Sequence, residues 1–167
     1  MRKLLNGAVL AALIGGSAGS AFGQQAVTAE QVAGVWKFHS GVSHDETTNT
    51  DKALPITAGY LSFVQIGKNA RVVVITALGD RKPAGSTPTD AEIAQLYKSF
   101  GAYSGLIEFG TTASSDGTPI VNNVDLALNP AMPGKLSRVY RVSGSTLTVT
   151  LKASDGHIET SIWDKVQ

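Results

Sequence analysis

Thr146-Leu147-Thr148-Val149-Thr150-Leu151-Lys152-Ala153 decides the fold. Leu147, Val149, Leu151 and Ala153 alternate with Thr146, Thr148, Thr150 and Lys152, so one face is dry and the other wet. That is the period of a half-buried antiparallel strand. Ser143-Gly144 precedes it and Asp155-Gly156 follows it, both turn pairs. The same rhythm extends on either side. Downstream, His157 to Val166 is a last strand. Upstream come Leu136–Val142, Pro119–Leu128 and Tyr103–Phe109, separated by Asn129-Pro130-Ala131-Met132-Pro133-Gly134 and by Ser114-Ser115-Asp116-Gly117.

Further upstream, Gly59–Ile66 and Ala70–Ala77 flank Gly67-Lys68-Asn69, a tight hairpin connection. Gly34-Val35-Trp36-Lys37-Phe38-His39 is the first strand. Residues 43–55 are polar, end in Pro55, and read as a long loop over one mouth. Thr28 and Gln31 form a weak capping box for one turn ahead of that strand. One helix interrupts the series, at about Asp90 to Phe100. Thr89 and Glu92 cap it, and Ile93, Leu96, Tyr97 and Phe100 form one apolar stripe, expected to dock it on the strands. No βαβ alternation occurs. The expectation is an all-β fold: an eight-stranded antiparallel barrel with one docked α-helix after the third strand. Eight is the number that closes around side chains or one small ligand.

The N-terminus has the three-part pattern of a signal peptide. Arg2 and Lys3 are followed by the apolar run Ala8–Ile14, and Ala21 and Gly23 set a cut before Gln24. The expected organisation is a signal peptide at 1–23 and one barrel domain at 24–167, periplasmic or secreted. The run is too short to span a bilayer, and with no cysteine there is no lipid-bearing Cys, hence no stable membrane anchor. Of the 14 Lys and Arg, Arg2 and Lys3 lie in that segment, so the 13 acids outweigh the remaining bases by one. A near-neutral chain with scattered charges has no footprint for nucleic acid.

Several segments resemble the bacterial lipocalin-like domain proteins, of the calycin group of eight-stranded barrels. They are Gly34-Val35-Trp36, Gly59-Tyr60-Leu61-Ser62-Phe63, Asp80-Arg81-Lys82-Pro83 leading through the capped helix into Ala102-Tyr103-Ser104-Gly105, and Val124-Asp125-Leu126-Ala127-Leu128-Asn129-Pro130 with Arg138-Val139-Tyr140 after it. The similarity covers about residues 32–165. It implies a barrel that holds a small ligand. Members often carry histidines just before the position of Val124, where this chain has Asn122 and Asn123. Lipocalins place a cation of the last strand over the barrel Trp, and Lys165 is the nearest candidate here.

For the site, a symmetric hairpin about Asn129–Gly134 would set Asp125 opposite Arg138, Asn123 opposite Tyr140, and Ala127 opposite Leu136. Asn123, Asp125, Arg138 and Tyr140 would then orient a ligand's polar end. Trp36 would close the floor, and Tyr60 and Tyr103 would line the walls. The opposite face, with Val124, Leu126, Leu128 and Val139, is the more apolar. If it points inward, Asp125 and Arg138 form an exposed pair instead. His39, His44 and His157 fit no metal-site spacing, no nucleophile motif occurs, and no cofactor motif is present. The first functional expectation is an exported barrel binding a small, largely apolar ligand. The alternatives are an isomerase or cyclase using Tyr140 or Asp125 for proton transfer in the cavity, and a non-catalytic interaction protein with a filled barrel.

Overall fold

The structure, a computed structural model, describes residues 25–82, 85–132, 134–153 and 155–166. The signal peptide expected at 1–23 lies outside the described residues. Helix α1 (Ala29–Val32) precedes strands β1 (Gly34–Asp45), β2 (Thr50–Ala53), β3 (Ile56–Ile66) and β4 (Asn69–Leu78). Helix α2 (Asp90–Lys98) follows. The remaining strands are β5 (Phe100–Phe109), β6 (Thr118–Ala127), β7 (Lys135–Ser143), β8 (Thr146–Lys152) and β9 (His157–Lys165).

Every pairing is antiparallel, and each strand from β3 to β9 pairs with the next. β1 closes the ring by pairing β3 through Gly34–Lys37 and β9 along its length, from Trp36↔Lys165 to Asp45↔His157. The result is a closed eight-stranded antiparallel barrel, as the alternation in β8 predicts. The ninth strand, β2, pairs the far half of β1, Val42↔Ala53 to Asp45↔Thr50, on the edge that β3 occupies lower down. The 43–55 stretch expected as loop is therefore largely a hairpin. Polar composition concealed it, because all four β2 residues are exposed and show no dry face.

The lower end of the barrel is plugged. The capping box read from Thr28 and Gln31 starts α1 and turns Val27, Ala29 and Val32 under the ring, where all three are buried. The Val27 N–H donates to Thr118 Oγ1 at 2.7 Å, and Trp36 Nε1 donates to Val32 O at 2.7 Å. Trp36 is fully buried, and Lys165 Nζ lies 5.2 Å from its ring centroid. Phe63, Ala70, Val72, Ile107, Ile120 and Leu147 pack the same core. This half has the close packing of a protein interior.

The Thr89–Glu92 capping box forms as read, and α2 follows β4, the third strand of the ring. The helix lies beside β5 and is tied to the barrel by Tyr97, whose hydroxyl donates to Leu128 O at 2.6 Å. Its apolar stripe is covered only in part. Leu96 is half-buried, whereas Ile93 and Tyr97 are 50% and 48% exposed.

Candidate functional site

The upper half of the barrel is hollow. A cavity of about 170 Å³ lies between Leu61, Val74 and Thr76 on one side and Val149, Leu151 and Trp163 on the other, with Leu54 and Ile56 toward the upper end. Tyr103, Arg138, Tyr140, Glu159 and Ser161 supply its polar atoms. Strand alternation puts each of them there. On β7, Arg138 shares a face with buried Tyr140; on β9, Glu159 and Ser161 share one with buried Trp163.

Arg138 Nη2 donates to the Tyr103 hydroxyl at 3.2 Å, and Arg138 Nε is buried without a partner. Tyr140 is buried edge-on to Phe63, ring centroids 6.1 Å apart. Burial pushes the Tyr140 hydroxyl well above its ordinary value of 10.0, the neighbouring Tyr103 adds to this, and the Arg138 charge opposes it. The phenol therefore keeps its proton at any physiological pH and faces the cavity as a neutral donor. Trp163 Nε1 donates to Ser161 Oγ at 2.9 Å, which fixes the indole against the same wall.

The β6–β7 register differs from the symmetric hairpin. Ile120, not Asp125, lies opposite Arg138, and Thr118, not Asn123, lies opposite Tyr140. The offset of five residues is odd, so it exchanges the faces. β6 runs past the start of β7, with the Val124 N–H donating to Gly134 O at 2.8 Å, and a bulge facing Ser104/Gly105 falls at Asp125. Asp125 consequently stands on the outer wall. There it pairs with Arg71 Nη1 at 2.7 Å and accepts from Ser104 Oγ at 2.8 Å. These contacts, the Ser104 hydroxyl first, hold its carboxyl below the usual 3.8. Asn123 also faces out, its Nδ2 donating to Glu108 Oε1 at 3.2 Å. The four-residue polar cluster expected inside is thus halved: Arg138 and Tyr140 are in the cavity, Asn123 and Asp125 are not. An acid–base role for Asp125 inside the barrel is lost with it.

Tyr60 is likewise outside, 46% exposed, because Gly59, Leu61 and Phe63 take the inner face of β3. Tyr103 is on the inner wall as expected. Trp36 sits in the floor below the cavity rather than on its lining.

No protein-family model matches this chain, and no curated protein matches it. Among solved structures it is similar to a de novo designed fluorescence-activating β-barrel, at 12% identity over 83% of this chain and 96% of that one, with a TM-score of 0.42. It is also similar to a redesigned β-barrel, at 13% identity over 86% of this chain and 99% of that one, with a TM-score of 0.44.

Glu159, Ser161 and Asn122 are inner polar residues beyond those expected from sequence. Glu159 and Ser161 were legible in principle, since both are in phase with Trp163 on the last strand. Asn122 was not. It is fully buried, and neither atom of its amide has a hydrogen-bond partner. The histidines form acid pairs on the surface: His39–Asp164 and His44–Asp51 at 2.7 Å, and His157–Asp45 at 3.7 Å. Among the described residues no group of three or more His, Cys, Asp or Glu is placed to hold a metal ion. No described helix is long and apolar enough to cross a membrane.

Proposed function

We propose that this chain is an exported, lipocalin-like carrier that holds one small, largely apolar molecule in the upper cavity. The apolar walls would take the body of the ligand, and Arg138, Tyr103 and Tyr140 would meet its polar end. Pockets for small molecules combine this kind of wall with a few convergent polar groups. The single observation that carries the reading is the inward course of Arg138. A guanidinium brought into a half-buried hollow, with Nε left unpartnered, is costly unless something else completes it. The leader at 1–23 would deliver the protein to the periplasm or the medium.

The test is native mass spectrometry of protein purified from its host, beside a Ser161→Leu variant in which the new side chain fills the hollow. The expected result is a small mass adduct on the wild type that the folded variant lacks. A wild-type protein that carries no adduct and takes up no apolar probe, such as toluene, would rule the carrier out.

A further inference from the structure

The cavity contains one base and one acid, and neither is neutralised. Arg138 and Glu159 both line it. Among the described residues, the ion pairs within 4.0 Å are formed by other groups, of which His157–Asp45 stands nearest, next to Glu159 along the same face of β9. The two charges do not meet within 4.0 Å, and the guanidinium's side-chain hydrogen bond goes to the Tyr103 hydroxyl instead. Arg138 Nε is buried without a partner and Glu159 is half-buried, and a charge is costly to the extent that it is withdrawn from water and unpaired. A ligand with a single anionic group would satisfy Arg138 and leave its charge facing Glu159. A ligand with a single cationic group would do the reverse. An uncharged one would leave both unpaired.

Size narrows the choice further. The hollow measures about 170 Å³, and a dry cavity of about 150 Å³ admits benzene. One ring, or a short alkyl chain, is therefore the scale of the body that fits between Leu61, Val74 and Trp163.

We propose that the cavity is selective for a small zwitterion, with a carboxylate at one end against Arg138 and an ammonium at the other against Glu159, joined by a single-ring or short-chain apolar body. This rests on the cavity being a ligand site. It adds the charge pattern and the size class of what enters. Tyr140, a neutral donor facing the same space, would give the carboxylate a further hydrogen bond.

The experiment titrates the protein with toluene, benzoate, benzylamine and para-aminomethylbenzoate, read by calorimetry and by quenching of tryptophan fluorescence. The zwitterion is expected to bind about tenfold or more tighter than either singly charged probe. Arg138→Met and Glu159→Gln should each remove the zwitterion's advantage over the singly charged probes while still binding toluene. Toluene binding also reports that each variant is folded; should Arg138→Met not fold, Glu159→Gln decides the matter alone. Toluene binding with the zwitterion no tighter than benzoate or benzylamine overturns the charge assignment and leaves the carrier reading standing. Failure of all four probes, toluene included, overturns both.

Discussion

Asn122 shows how much one residue carries at the barrel's centre. It is fully buried between Ile107 on β5 and Leu136 on β7, and its whole amide is unpartnered. An orphaned buried polar group costs its desolvation, whereas an apolar side chain of similar shape does not. Asn122→Leu is therefore expected to raise stability, by about 1–3 kcal/mol, read as a higher urea midpoint at unchanged slope. Gly105 responds in the opposite sense. A Cβ there would strike Asn122 Oδ1 and the Asn123 carbonyl oxygen, one of them backbone that cannot turn aside. Gly105→Ala is expected to cost about 1–3 kcal/mol through overpacking, and the same urea measurement checks it. Legibility at this scale was uneven. Alternation puts Arg138 and Tyr140 on one face but does not say that it is the inner one, since the opposite face carries Val139. Tyr60 is the reverse case: its ring suggests a cavity wall, but Leu61 and Phe63 mark the inner face of β3 and the alternation puts Tyr60 outside.

At the level of elements, strand identity came from alternation and register did not. β8 and the β3–β4 hairpin were plain, since Ile66↔Asn69 leaves only Gly67 and Lys68 in the turn and Gly67 adopts φ +61°. The β6–β7 connection was opaque, because Asn129–Gly134 does not disclose that β6 overruns its partner or that a bulge resets its faces. α2 was the reverse case, with its start fixed by a motif. Glu92 accepts from the Thr89 backbone N–H, the larger effect, and from the Thr89 hydroxyl, and both hold its carboxyl below the ordinary 4.5. A carboxyl depressed in the folded state contributes stability that is present above its unfolded value and lost as pH falls through the folded one. The cap should therefore persist at pH 4.5 and dissolve below it. An NMR titration of the Glu92 carboxyl is expected to give a midpoint below 4.5 in the wild type, returning toward 4.5 in Thr89→Ala. A wild-type midpoint at 4.5 would show that the cap does not form in solution.

The whole molecule is a ring with a sealed end and a hollow end, and its parts differ in what they contribute. α1 belongs to the sealed end. Removing residues 25–32 would uncover the lower core, take away buried Val27, Ala29 and Val32, and orphan both the Trp36 Nε1–H and the Thr118 hydroxyl. Each buried valine is worth about 1.5–3 kcal/mol, and each orphaned buried group costs about 1–3 kcal/mol. The expected loss, about 5 kcal/mol or more at the lower ends of these ranges, is a large share of the 5–15 kcal/mol that typically holds a domain together. β2 is the control. It pairs only with the far half of β1, beyond the residues that pair β3, and all its residues are exposed. Replacing residues 46–52 by a short turn should shift stability by about 1 kcal/mol or less, the scale of surface changes, because closure through β1–β9 does not involve it. Urea unfolding of the two deletions side by side checks the assignment. A plug deletion as stable as the β2 deletion would mean that the lower core does not depend on α1, and that the barrel is held by its strand pairing alone.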